Sequence, residues 1–142
     1  MTDRVLDDTG PIVAILSSDD PHHAVCSSEL RKHKQPWITC WPVLTEAAWL
    51  VRKESGGVQR LFELVEKGVI EVVELDAKAP AWVAKFLERY ASLKAQVADA
   101  ALMYLAEQRD VKNILTLDRR DFSVYRTTAG KGCTFSQRHD DD

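Results

Sequence analysis

The sequence predicts an α/β domain in which a largely parallel sheet lies between helical layers. Two observations predict it. Short apolar strands are separated by stretches with helical spacing, and 142 residues with 45% hydrophobic content suit one compact domain around a single core.

Arg4-Val5-Leu6-Asp7 reads as the first strand, because apolar residues lead directly into the turn signal Asp8-Thr9-Gly10-Pro11. A helix follows through Ile12, Val13, Ile15 and Leu16, with Pro11 tolerated in its first turn and Asp8 or Thr9 available to cap its free N–H groups. A second helix is predicted from His22 to Lys34, entered through Asp19-Asp20-Pro21 and stopped near Pro36. Trp37-Ile38-Thr39-Cys40 is the second strand, and Pro42 opens a helix through Lys53 that ends at Ser55-Gly56-Gly57. Val58 to Lys67 is helical, with Leu61, Leu64 and Val65 on its buried side, and Gly68 closes it. The β-branched run Val69 to Leu75 is the clearest strand. Pro80 to Tyr90 and Val97 to Gln108 both show helical spacing. Asn113 to Leu117 is a short strand running into Asp118, and Ser123 to Arg126 is assigned as the last edge strand. The domain is placed at residues 1–126. Residues 127–142, with Gly, Ser and an acidic end, are read as a C-terminal extension that loosens toward its end.

Charged residues at 29%, with scarce Gly and Pro, exclude disorder and fibrous repeats. No apolar run approaches the roughly 20 residues needed to cross a bilayer. The first residues are charged (Asp3, Arg4, Asp7, Asp8), unlike a signal segment, so a cytoplasmic location away from membranes is expected. Cys26, Cys40 and Cys133 are odd in number, far apart and without a CxxC pair, which argues against a disulfide framework and against zinc. A net charge of −3 offers no global attraction for nucleic acid. Such a substrate would have to be held by local basic patches and metal ions.

In parallel sheets, sites form at the carboxyl ends of strands, which selects Asp8 and Asp118. Most acids on helices face water near a cation three or four positions away. Glu46 lacks that setting: its neighbours are Pro42, Val43, Trp49 and Leu50. Asp99 sits among Ala95, Gln96, Leu102 and Met103. A half-buried carboxylate must be protonated, paired at long range or bound to a cation. Two of them about 4 Å apart repel by roughly 4 kcal/mol at an effective dielectric of about 20, so a cluster requires a counter-charge. Oxygen-only ligands favour Mg²⁺ or Mn²⁺. Asp118-Arg119-Arg120-Asp121 could pair on the surface or cap a helix as easily as complete a metal site. Asp7 alternates with Asp8 along the strand, so only one of the two should face the site, and Asp8 stands closer to the turn. The tryptophans Trp37, Trp41, Trp49 and Trp82 are assigned to core or interface ahead of base stacking.

Val5-Leu6-Asp7-Asp8-Thr9-Gly10-Pro11 resembles the opening strand and turn of PIN domains, with Asp8 as the first acid. Thr45-Glu46-Ala47-Ala48 resembles the segment that carries the second acid, and Val97-Ala98-Asp99-Ala100-Ala101-Leu102 the third. Ile114 to Phe122, containing Asp118, resembles the fourth. Order, spacing and length fit from Val5 to Arg126 and resemble the toxin components of VapBC toxin–antitoxin pairs. One departure is Gln96, where some relatives carry an additional acid about one turn before the third.

The resemblance implies a three-layer α/β/α domain that cleaves single-stranded RNA with Mg²⁺ or Mn²⁺. Asp8, Glu46 and Asp99 would hold the principal metal, with Asp118 binding through water or shaping a second position and Asp121 as a further candidate. Thr9 would orient Asp8 or contact a phosphate, or serve only as a turn residue. Arg119, Arg120 and Arg126 would steer RNA or stand as solvated charges. The resemblance also implies an antitoxin partner and a homodimer. A housekeeping RNA-processing nuclease and an inactive RNA- or protein-binding module are the alternatives; the latter predicts gaps among the four acids, and none is missing. A response-regulator receiver leaves Glu46 unexplained and wants a late Lys, whereas Lys112 precedes its strand. A haloacid-dehalogenase-like phosphatase wants Asp-x-Asp after the first strand, which Asp8-Thr9-Gly10 does not provide.

Overall fold

A computed structural model describes residues 4–126 and 134–135 of the chain. The described elements are, in order, β1 (Leu6–Asp7), α1 (Thr9–Leu16), α2 (His23–Arg31), β2 (Trp37–Thr39), α3 (Trp41–Leu50), α4 (Gly57–Glu66) and β3 (Ile70–Val72). There follow α5 (Ala79–Arg89), a 3₁₀ turn (Ala91–Leu93), α6 (Val97–Arg109), β4 (Asn113–Leu115), α7 (Arg119–Phe122) and β5 (Thr134–Phe135). The sheet order is β3-β2-β1-β4-β5, and every described pairing is parallel.

Strand side chains alternate between the two faces, as a pleat requires. Leu6, Ile38 and Ile114 enter the larger core cluster, with Ile12 of α1, Leu44 of α3, Leu61 of α4, Phe86 of α5 and the body of α6. Val5, Trp37, Ile70 and Leu115 pack on the other side with Leu30 of α2. Apolar faces on both sides of a parallel sheet must be covered, and the α/β/α layering expected from the sequence follows. Helix α6 is buried from Ala100 to Ala106, so it runs through the core, and its alanines permit close approach of its neighbours.

One element differs from expectation. Ser123–Arg126 is a turn after α7 rather than an edge strand, closed by Val124 N–H to Asp121 O at 2.9 Å and Tyr125 N–H to Asp121 O at 3.2 Å. Its β-forming residues mislead because Tyr125 is fully buried for a different purpose. Its ring lies 5.0 Å from those of Phe86, Tyr90 and Phe122. The edge position belongs instead to Thr134–Phe135, within the segment read as an extension. Residues 127–133 and 136–142 lie outside the described residues, as does Cys133. Among the described residues no helix is long and apolar enough to cross a membrane.

Candidate active site

Strand order reverses between β1 and β4: the chain adds β2 and β3 on one side of β1, and β4 and β5 on the other. The carboxyl ends of such a pair open a crevice that helices cannot cover. Register then decides which residues meet there. Leu6 pairs with Ile114 and Asp7 with Leu115, so the next residues, Asp8 and Thr116, stand level. Their contact is direct: Thr116 Oγ1 donates to Asp8 Oδ2 at 2.7 Å, and Thr116 Oγ1 accepts from the Asp118 backbone N–H at 2.9 Å. The Asp8 N–H donates to Leu115 O at 3.0 Å, extending the ladder to the site's edge. A single buried hydroxyl thus ties the first acid to the fourth.

The other acids arrive on helices. Glu46 comes from the middle of α3, and the Thr9 hydroxyl donates to its Oε1 at 2.9 Å, linking α1 to α3. Asp99 lies in the first turn of α6, where its Oδ2 accepts the Gln96 N–H at 3.1 Å as part of a capping box. The same oxygen accepts the Tyr125 hydroxyl at 3.2 Å. Asp118 caps α7, accepting the Asp121 N–H at 3.3 Å. Asp8, Glu46, Asp99, Asp118 and Asp121 all line one open cavity of about 520 Å³. Gly10 lines it too, and a Cβ there would lie 3.0 Å from Leu117 Cδ1, so a larger residue would press on the Leu117 side chain next to Asp118.

The electrostatics follow from this crowding. Burial, helped by the charges of Asp99 and Glu46, raises the Asp8 carboxyl to about 7, against the lowering effect of its bonds from Thr116 and Thr9. Asp99 is also raised, first by burial and then by Glu46 and Asp121, although its bonds from Gln96 and Tyr125 oppose this. At the exposed rim, partial desolvation and the Asp121 charge raise Asp118. Lys94, held at φ 58° after the 3₁₀ turn, is the cation on the cavity wall. The salt bridges among the described residues, Arg4–Glu71 and Lys32–Glu29, lie elsewhere. No group of three or more His, Cys, Asp or Glu among the described residues forms a ready-made metal cage. The acids surround a shared space rather than converge on one point.

Asp7 is fully buried, does not line the cavity, and its two carboxyl oxygens find no hydrogen-bond partner. Pleating turns it away from Asp8 to the face of Cys26 on α2, whose thiol is pushed up to about 12 first by burial and then by the nearby Asp7. Burial, reinforced by Asp8, holds its own carboxyl well above the usual range. Arg120 is exposed and does not line the cavity, and Arg126 lines a separate hollow. The side chain of Arg119 is outside the described structure. Of the tryptophans, Trp37 is buried, while Trp41 and Trp49 are 51% and 63% exposed. Thr116, Tyr125 and Lys94 were not singled out from the sequence. All three depend on tertiary packing: Thr116 meets Asp8 only through the β1/β4 register.

An α/β/α domain that gathers acids from β1, α3, α6 and the end of β4 into one cleft defines a PIN domain, and this chain belongs to that family, whose model matches residues 5–127. Ribonuclease VapC26 of Mycobacterium tuberculosis (strain ATCC 25618 / H37Rv) is 30% identical over 125 residues, covering 87% of this chain and 93% of that protein. The fold is similar to the crystal structure of Mycobacterium tuberculosis VapC20, a sarcin-ricin loop cleaving toxin. The TM-score is 0.71 at 16% identity, over 78% of this chain and 86% of that one.

Proposed function

We propose that this PIN-domain protein is a metal-dependent endoribonuclease and the toxin of a toxin–antitoxin pair, using Asp8, Glu46, Asp99 and Asp118. The observation that carries the reading is the five-carboxylate cavity at the β1/β4 switch point, in a chain similar to a VapC ribonuclease. The donor set suits Mg²⁺ or Mn²⁺: it is all oxygen, rich in negative charge, and has Lys94 as its cation. An open arrangement is no obstacle, because Mg²⁺ keeps several waters and is commonly held by one or two carboxylates together with substrate phosphate.

Asp8, Glu46 and Asp99 would hold the ion, with Asp118 and Asp121 at the rim. When bound, it supplies acidification of an attacking water and charge compensation for the departing oxygen. The chain's own groups fix the acids. Thr116 orients Asp8, Thr9 orients Glu46, and the Gln96 N–H with the Tyr125 hydroxyl orients Asp99. The N-termini of α1, α6 and α7 all open on the cleft, and their partial positive charge favours both the carboxylates and a phosphate.

The test is incubation of the purified protein, free of antitoxin, with bacterial RNA in Mg²⁺, Mn²⁺ or chelator, beside Asp8→Asn and Asp99→Asn. Cleavage that requires a metal and is lost in both variants is the expected result. A folded wild type that cuts nothing in any metal, yet binds RNA or a protein as well as the variants do, would replace the enzyme with a binding module. The antitoxin and a homodimer are proposed on the same family grounds, to be tested by co-purification and by solution mass.

A further inference from the structure

The acidic cavity repels the substrate it would cut, so attraction for RNA must come from elsewhere on a chain of net charge −3. A second, smaller hollow of about 120 Å³ is lined by Trp82, Lys85, Phe86, Arg89 and Arg126. The first four recur every three or four residues and form one stripe of α5. Arg126 closes the hollow from the turn after α7. No acid lines it, and among the described residues none of its three cations forms a salt bridge.

The arrangement is more organised than scattered surface charge. Arg126 Nη1 donates to Ser123 O at 2.7 Å and to Tyr125 O at 2.8 Å, and its backbone N–H donates to the Tyr90 hydroxyl at 2.9 Å. Neutral carbonyls fix the guanidinium without cancelling its charge, which lowers the ordering cost of binding an anion. Trp82 and Phe86 stack with ring centroids 5.4 Å apart at 18°, giving the hollow an aromatic wall. Cations around such a wall match a phosphodiester and the base or sugar attached to it. The hollow also connects to the proposed chemistry. Tyr125, the residue before Arg126, donates its hydroxyl to Asp99, so one tyrosine separates the two sites.

We propose that Lys85, Arg89 and Arg126 form a second RNA-phosphate subsite, outside the acidic cavity, that holds the strand beyond the cut. This rests on the ribonuclease reading above. RNA is favoured over an acidic peptide because the aromatic wall suits bases and because the hollow adjoins the acid cleft.

The test measures binding of a labelled single-stranded RNA oligonucleotide by fluorescence anisotropy across a salt series, in EDTA so that nothing is cut. The proteins are wild type, Lys85→Gln/Arg89→Gln, the same pair with Arg126→Gln, and Lys67→Gln, just after α4, as a single-charge surface control. Loss of three phosphate contacts should flatten the plot of log affinity against log salt by about 2 for single strands, corresponding to roughly 40-fold weaker binding at about 0.15 M salt. The double variant leaves Arg126 and its backbone bonds intact, and should show about two thirds of that change even if the triple variant folds poorly. Lys67→Gln should not change the slope.

A parallel cleavage assay in Mg²⁺ separates the two readings. If the wild type cuts RNA but the double variant keeps the wild-type slope, the subsite is refuted and the nuclease stands. If the slope falls but nothing is cut in any metal, the subsite stands on a binding protein and the nuclease reading fails. If RNA binding is unchanged while binding of an acidic polypeptide such as poly-glutamate is lost, the hollow belongs to a protein partner and the RNA proposal is overturned.

Discussion

Asp8 should make the metal-free protein lose stability as pH rises toward neutrality. In the unfolded chain its carboxyl ionises near its ordinary value of 3.8, whereas in the folded protein burial keeps the proton on until about 7. Between those values the folded state binds more protons, so unfolding becomes easier with each increment of pH, and the cost is complete above about 7. At about 1.4 kcal/mol per pH unit, a rise from 3.8 to about 7 corresponds to roughly 4 kcal/mol. That is a large part of the ~5–15 kcal/mol that holds a small domain together. The assay is urea denaturation in EDTA at pH 5 and pH 8, for wild type and Asp8→Asn. Only the part of that cost incurred above pH 5 falls between the two conditions, so wild type should lose about 2–3 kcal/mol more than the variant. Asn keeps the shape but has no proton to release, so at pH 8 Asp8→Asn should be the more stable protein although inactive. Mg²⁺ or Mn²⁺ should close the gap by stabilising wild type far more at pH 8 than at pH 5. Equal pH slopes for wild type and Asp8→Asn would refute the buried, uncompensated carboxyl on which the metal argument depends.

Asp7 obeys the same sign, and its role is easier to isolate because it does not line the cleft. Asp7→Val should raise stability at pH 8 by about 1–3 kcal/mol in thermal or urea unfolding, since two buried oxygens without partners are replaced by apolar surface. Thr116→Val should reduce cleavage about 10- to 100-fold through a weaker metal site, while Thr116→Ser restores the bonds to Asp8 and Asp118 and most of the activity; titrating Mn²⁺ against rate separates metal affinity from turnover. Gly10→Val should cost about 1–3 kcal/mol in melting experiments, because its side chain would be driven into Leu117.

The alternation of short strands and helices made the layering legible, and two acids placed directly after strands marked the edge that matters. Pleat parity separated Asp8 from Asp7, and the structure puts them on opposite sides of the sheet. What stayed hidden depends on contacts distant in sequence. Thr116 looks like an ordinary strand residue until the β1/β4 register sets it level with Asp8, 108 positions away. Tyr125 carries strand propensity, but its ring belongs to an aromatic cluster with Phe86, Tyr90 and Phe122, so packing overrides the local preference. The short α7 has too few residues for a periodic pattern, and its start is set by Asp118 acting as a cap.

Asp99 and Asp118 also have local tasks. Asp99 completes the capping box of α6 and Asp118 accepts the Asp121 N–H, so the neighbourhood that left Asp99 without a partner in sequence omitted the helix's own backbone. Each helix therefore begins at the acid it delivers, and its N-terminal partial charge offsets part of the repulsion among the acids. The same economy complicates mutagenesis. Alanine at Asp99 or Asp118 removes a proposed ligand and a cap together, at a structural cost of about 0.5–2 kcal/mol that has nothing to do with catalysis. Asparagine keeps an oxygen able to accept the capping N–H while withdrawing the negative charge. If activity depends on charge in the cleft, asparagine and alanine should be equally inactive but differ in stability. If it depends only on the geometry of α6 and α7, the asparagine variants should retain it.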